Sequence, residues 1–427
     1  MRTLIVAFLL VTAPADPANS QTAADLRATA PGLEKNLTGN ILAFWYPGSI
    51  DREHGGFLID HDAQGRFKGE APKAIVTQAR MVWLSARLMR EGRGGPAMAD
   101  AARQGYRFLL DKMWDREFGG FYWEVDRTGS QVVHANKHLY GQAFGLYAIA
   151  EYARATRDPA ALSDARRLFD LIEARAHDEV NGGYREFFAR NWGPAPPEAR
   201  PYLGGTADLK LMNTHLHLME ALTTLYLADP SPRVATRLSE LITIQSNAVV
   251  RKSIGACTDQ YATDWTPKLD GNAARASYGH DLENIWLLVD ALDALGQSAA
   301  PLRDLFSQLF AYSLANGYDA VNGGFYDSGP LGQPADRRDK VWWVQAEALV
   351  SALTMYRLTG DAKYAQVFLK TWEFTNTKQT DWTTGEWHPT VTADGRGTGD
   401  KANRWKAGYH NGRAMIEALR LVRELGR

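Results

Sequence analysis

Three of the ten histidines in this 427-residue chain stand at comparable places. His217, His280 and His410 each lie close behind the start of a segment with helical periodicity. An imidazole titrates near neutral pH when unperturbed, so it can both take and return a proton there. Each has polar or aromatic company at helical spacing. Asn213 stands four residues before His217, Glu283 three residues after His280, and Trp343 four residues before Glu347, while Trp405 shortly precedes His410. Arg80 and Tyr140 occupy similar early positions in two further segments. Convergence of these groups at one concave mouth would make a proton-transfer site. Other roles are open to several of them. Arg80 suits a structural ion pair, and Glu283 and Glu347 suit either the orienting of histidines or the capping of helix N-termini. His215 faces away from His217 on a helix and reads as structural.

The thirteen tryptophans add a second signal. Trp83, Trp114, Trp123, Trp342, Trp343, Trp387 and Trp405 fall near the segment starts or the loops before them. Flat apolar rings beside polar groups suit the C–H faces of sugars as well as core packing. Several chemistries have no footing. There is no His-Glu-x-x-His, no phosphate-cradling glycine loop before a helix and no serine nucleophile elbow. The single cysteine, Cys257, allows neither a disulfide framework nor a thiolate metal cluster. No metal and no cofactor is expected. With 48 basic and 49 acidic residues, no nucleic-acid partner is expected either, and no apolar run is long enough to span a membrane.

The elements that must position these residues repeat. Asp51-Arg-Glu-His-Gly-Gly-Phe57 returns as Asp115-Arg-Glu-Phe-Gly-Gly-Phe121, Asp178-Glu-Val-Asn-Gly-Gly-Tyr184 and Asp319-Ala-Val-Asn-Gly-Gly-Phe325, and in degraded form as Asp381-Trp-Thr-Thr-Gly-Glu-Trp387. The aspartates are 64, 63, 141 and 62 residues apart, so a sixth copy belongs in the long gap near 250–265. Glycine pairs with flanking Asp and Asn predict tight turns, and the alternating runs after them predict short hairpins. Between them the periodicity predicts twelve helices, over 23–46, 73–91, 96–113, 137–156, 159–176, 209–228, 232–250, 280–296, 300–316, 340–359, 361–377 and 408–425. Odd-numbered helices run into the long loops and even-numbered helices end in short turns such as Thr359-Gly360-Asp361. Six such units predict an all-α fold, an (α/α)6 barrel with short β-hairpins in the long loops at one end. The alternative is an open α-solenoid. The even helices would form the inner ring, with their starts at the mouth.

Arg2, the apolar run Leu4 to Val11 and the small-x-small run Ala18-Asn-Ser20 predict an export signal over residues 1–20, followed by one domain over 21–427. The expected location is periplasmic or secreted.

The helix starts also carry a resemblance. Asn213-Thr-His-Leu-His-Leu-Met-Glu220, Ser277-Tyr-Gly-His-Asp-Leu-Glu283, Lys340-Val-Trp-Trp-Val-Gln-Ala-Glu347 and Lys401-Ala-Asn-Arg-Trp-Lys-Ala-Gly-Tyr-His-Asn411 resemble the N-acylglucosamine 2-epimerase family, within it most nearly the cellobiose 2-epimerases. The resemblance implies a metal-free (α/α)6 barrel. It implies epimerisation at C2 of the reducing-end sugar of a β-1,4-linked disaccharide, or isomerisation of mannose-type aldoses to ketoses. It implies His280 and His410 as the acid–base pair, with His217 assisting ring opening. By the same likeness Arg80, Tyr140 and Asn213 hold sugar oxygens, Trp343 and Trp405 stack on the sugar, and Glu283 and Glu347 orient histidines; Trp387, in the degraded repeat, is a further candidate sugar contact. A glycoside hydrolase would need two carboxylates flanking a scissile bond, and a sugar-binding protein would need no paired bases. A small sugar is the expected partner of a monomer or weak dimer. The degraded copy at Gly385-Glu-Trp387 is expected to shape the choice of sugar.

Overall fold

The computed structural model describes residues 17–69 and 71–425. Most of the expected export segment therefore lies outside the described residues. Six helices form an inner ring: Ile75–Arg90, Leu139–Thr156, Met212–Ala228, Tyr278–Ala294, Trp342–Thr359 and Tyr409–Glu424. Each packs on the next, and the last packs back on the first, which closes the ring. They are buried almost all round, as helices with a core on one side and an outer layer on the other must be. The outer layer consists of Gly95–Phe108, Pro159–Arg175, Pro232–Thr243, Arg303–Gly317, Ala362–Phe374 and a broken set at the start of the chain. This is an (α/α)6 barrel.

Helix boundaries follow local chemistry. The short turns are capped by side chains: Asp158 accepts from the Ala160 amide at 2.9 Å, Ser231 from Val234 at 3.3 Å and Asp361 from Lys363 at 3.0 Å. Pro159 and Pro232 sit at first helical positions, where no amide donor is needed. The expected single helix over 23–46 is instead Pro17–Ala28, Ala30–Lys35, a π-helical turn Asn36–Leu42 and Ala43–Trp45. Pro31 explains the break, since it cannot continue the ladder from the preceding helix. Three other outer helices also end in a π-helical turn, at Leu109–Met113, Ile244–Ala248 and Thr375–Gln379. These fall within or beside the expected helices, so the periodicity carries through them.

The repeated word closes a small hairpin in every unit. Ile50 pairs with Phe57, Trp114 with Phe121, His177 with Tyr184, Tyr318 with Phe325 and Thr380 with Trp387. The sixth copy is Arg251-Lys-Ser-Ile-Gly-Ala-Cys257, where Val250 pairs with Cys257 at the same spacing. It escaped the eye because Asp, the second Gly and the aromatic have all been replaced.

The second glycine of the word is the demanding one. At Gly56, φ is +71°, and a Cβ there would meet Gln78 Oε1 at 2.7 Å. Gln78 Oε1 accepts from the Phe57 amide at 2.8 Å, and its Nε2 donates to the Phe57 carbonyl at 2.8 Å. Gln142 and Gln345 do the same for Phe121 and Phe325. In the fourth unit Asp281 takes this place and accepts from the Cys257 amide at 2.7 Å. Burial pushes Asp281 up to about 8, so a protonated acid stands in for the amide.

A buried ion pair fastens five of the six hairpins. Lys73 reaches Asp51 at 2.8 Å, Lys137 reaches Asp115 at 3.0 Å, and Lys210, Lys340 and Lys401 reach Asp178, Asp319 and Asp381 at 2.8 Å each. Burial works to raise these carboxyls, but lysine and turn-amide donors, and for Asp115 first of all Arg190, outweigh it and hold Asp115, Asp178, Asp319 and Asp381 well below the usual range. In the fourth unit both partners have gone together, Arg251 replacing Asp and Ala276 replacing Lys. Removing one partner of such a pair costs about 3–5 kcal/mol; losing both avoids the stranded charge.

Candidate active site

The starts of the inner helices and the hairpin loops surround a cavity of about 300 Å³. Of the sequence-predicted residues, Arg80, Tyr140, Asn213, His217, His280, Glu283, Trp343, Trp405 and His410 line it. Tyr202, Leu203 and Trp342 complete the wall. Three larger clefts, about 720, 730 and 440 Å³, lie elsewhere and are lined by no histidine. The chemistry is in the smaller space.

Each histidine has its own setting. The Nδ1 of His410 lies 2.7 Å from Glu347 Oε1, and that of His217 lies 3.0 Å from Glu220 Oε2. A carboxylate accepts only, so in both rings Nδ1 carries the proton and Nε2 keeps a lone pair for the cavity. His280 makes no hydrogen bond to a described residue and packs 4.8 Å from the Trp343 ring. Burial, then the neighbouring His217, pushes His280 down to about 3. Burial, then Arg80 and Arg413, holds His410 well below the ordinary histidine range. Both rings are therefore neutral bases at neutral pH.

Arg80 gives the cavity an uncommitted cation. It donates to the Trp405 carbonyl at 2.7 Å and to the Tyr140 hydroxyl at 3.1 Å, and its guanidinium lies 4.4 Å from the Phe144 ring. It forms no ion pair with any described carboxylate. A buried guanidinium held only by neutral groups is suited to an oxygen that becomes negative. Asn213 contributes a buried side-chain oxygen with no partner among the described residues.

Beneath the histidines lies a charge cluster that joins Glu283 and Glu347 to two residues the sequence did not single out, Glu220 and Arg413. Arg413 donates to Glu220, to Glu283 at 2.6 Å and to Glu347 at 2.8 Å. Tyr409 donates to Glu220 at 2.7 Å, and Trp286 donates to Glu347 at 2.9 Å. Burial would raise Glu220, but Arg413 and His217 outweigh it and hold it at about 2. Burial and the nearby Glu347 push Glu283 up to about 7. Burial raises Glu347 as well, against Arg413. The available signal was spacing: Glu220, Glu283 and Arg413 each stand three residues beyond His217, His280 and His410. Glu283, Glu347 and His410 offer ligand atoms within 4.8 Å of one another, as a metal site would. The cation bonded to both carboxylates is Arg413.

Other sequence-predicted residues lie elsewhere. Glu347 sits behind His410 rather than on the cavity wall. Trp387 is not brought to the cavity: it is fully buried in its hairpin and donates to Asn36 at 2.9 Å. It is the counterpart of Phe57, a scaffold residue. Its neighbour Glu386 accepts from Trp45 at 2.5 Å, Lys406 at 2.7 Å and Asn411 at 2.6 Å. The decayed copy thus anchors the segment carrying Trp405 and touches no cavity. Trp83 lies deeper, stacked on Tyr147 at 5.1 Å. His215 is structural, accepting from the Tyr184 amide at 2.9 Å.

The sequence profile of the N-acylglucosamine 2-epimerase (GlcNAc 2-epimerase) family matches residues 55–414. The chain belongs to this family. It is 33% identical to a cellobiose 2-epimerase of Bacteroides fragilis over 391 residues, covering 91% of this chain and 97% of that one. The solved structure of cellobiose 2-epimerase from Spirochaeta thermophila superposes with a TM-score of 0.85 at 33% identity, over 95% of this chain and 99% of that one. A D-mannose isomerase of Marinomonas mediterranea is 26% identical over 89% of this chain and 95% of its own length. The protein is a carbohydrate epimerase of the isomerase class.

Proposed function

We propose that this epimerase interconverts glucose and mannose at the reducing end of β-1,4-linked disaccharides such as cellobiose. The observation that carries the reading is the pairing of two neutral imidazoles, His280 and His410, with the unpaired Arg80 in one cavity. His217 assists opening of the sugar ring to the aldehyde. One imidazole Nε2 removes the proton from C2 and the C2–H electron pair moves into an enediolate. Arg80 stabilises the oxygen that becomes negative. Reprotonation on the opposite face gives the epimer, either from the first ring, now charged, after rotation of the intermediate, or from the second imidazole once it has itself taken up a proton. Tyr140 and Asn213 hold sugar oxygens, and Trp343 and Trp405 offer ring faces. Glu347 holds His410 in its working tautomer, and Glu283 flanks His280.

Aldose–ketose isomerisation shares the enediolate and differs only in where the proton returns, so a mannose isomerase is the second reading. A hydrolase is disfavoured because Glu283 and Glu347 are engaged with Arg413 rather than set apart across open space. Incubation with cellobiose and with mannose in D2O, followed by NMR, decides among them. Deuterium at C2 of a glucose–mannose pair is expected. A ketose product would favour the isomerase, and release of monosaccharides would sink both.

Export on residues 1–20, guided by Ala18-Asn-Ser20, and a monomer or weak dimer complete the proposal. A mature N-terminus near Gln21 in the extracytoplasmic fraction is the expected result. An uncleaved cytoplasmic chain would overturn export, and light scattering tests the oligomeric state.

A further inference from the structure

The mouth has a counterpart deeper on the axis. Later turns of the inner helices surround a second cavity of about 70 Å³. At roughly 30 Å³ per water molecule this is room for about two. Glu220, Tyr147, Trp286 and Arg413 line it on the side of the mouth; Asp290 and Glu417 line it farther along their helices. His217 lines the mouth, Glu220 lines the rear cavity, and their 3.0 Å hydrogen bond joins the two spaces.

The outer carboxylates differ from each other. Glu417 is held by Arg87 at 2.7 Å and Arg420 at 2.8 Å. Asp290 is half-buried and makes no hydrogen bond to a described residue. Burial, then Glu417, pushes Asp290 up to about 7, so it exists as both acid and carboxylate near neutral pH. Arg420, Arg87 and Arg357 face it and work the other way.

Inversion by two bases creates a need for such a group. The ring that takes the C2 proton ends the turnover charged, and the ring that gives one must first be supplied with it, since both rest neutral. With sugar in the mouth beside Trp343, Trp405 and Tyr202, solvent reaches the rings poorly from the front.

We propose that His217, Glu220 and the rear cavity form a proton route between the catalytic histidines and the opposite end of the barrel. The proposal rests on the epimerase–isomerase reading above. A proton arriving at Nε2 of His217 is balanced by the proton leaving Nδ1 for Glu220 Oε2. Glu220, a strong acid, passes it to water in the rear cavity, and Asp290 exchanges it with bulk solvent. Run backwards, the same steps deliver a proton. Only N–H and O–H bonds form and break, and no redox partner is required.

The test follows a deuterium label at C2 of cellobiose during turnover in H2O. Two variants alter the route without touching the mouth: Thr224→Leu fills the rear cavity, and Asp290→Asn removes its titrating group at constant size. Label retained at C2 of recovered substrate and product is expected to rise about fivefold or more, a modest share of what a proton relay contributes. Turnover falls with it and KM stays unchanged. Wild-type retention in both folded variants, checked by circular dichroism and thermal melting, overturns the route. A wild-type enzyme that turns over without ever exchanging C2 hydrogen would instead bring down the two-base form of the reading, and the route with it.

Discussion

Five aspartates under the hairpins each meet one lysine, whereas three glutamates on the barrel axis share Arg413. Both sets are buried, and both are built from carboxylates and cations. In the hairpin clasps every carboxylate has at least one cation of its own, Asp115 having Arg190 beside Lys137, so both partners stay ionised and the geometry is stiff. On the axis the carboxylates outnumber the bonded cation. Glu220 wins Arg413 and is held at about 2, while Glu283 is pushed up to about 7. Matched charge makes scaffold here; unmatched charge makes groups that titrate near neutral pH, next to the histidines that need them.

The largest effects should come from the mouth. His280→Ala and His410→Ala are each expected to cut kcat about 10³-fold, within the range for a lost acid–base group. Thermal melting should change little. Near-normal turnover in either variant would detach the axial cluster from the chemistry. Arg413→Met comes next. It strands three carboxyls, with an expected loss of about 3–5 kcal/mol in urea unfolding and loss of turnover in the molecules that remain folded. Lys210→Ala strands Asp178 in a clasp and should lose a similar about 3–5 kcal/mol. Its kcat per folded molecule should stay within about twofold of the parent, because no clasp touches the cavity. Equal loss of kcat in both variants would erase the distinction between scaffold and site.

A pH profile sharpens it further. A base with a depressed pKa stays neutral as pH falls, so His280, at about 3, should leave kcat/KM without a break through the ordinary histidine range. Glu283, at about 7, ionises as pH rises through neutrality and should supply the inflection there. That inflection should vanish in Glu283→Gln. The smallest effect is expected from rebuilding the lost clasp with Arg251→Asp and Ala276→Lys together. A new buried pair roughly breaks even against its desolvation, so stability should move by less than about 1 kcal/mol and kcat not at all.

The repeat was legible because the Gly-Gly turn tolerates few residues, and twelve helical patterns between six such turns admit few closed arrangements. The fourth copy was not legible, since Arg251, Ala256 and Cys257 keep the backbone path while changing every marked side chain. Nine site residues were legible because inner-helix starts all point to one mouth. Trp387 was misread because proximity in sequence to Trp405 says nothing of the side it faces. Glu220 and Arg413 were passed over as ordinary charges, although the three-residue offset from a histidine was visible in each case.

The sequence by itself determined the periodic part of this protein: its helices, its turns and the level along each inner helix at which chemistry can occur. These follow from local rules, since spacing along a helix places side chains on one face and at one height. Only the closed ring decided which charges meet. Arg413 reaches Glu220, 193 residues away, and Glu283, 130 residues away. Such contacts depend on the curvature of all six units together. Burial there removes the solvent that would otherwise make each carboxylate and imidazole behave like any other.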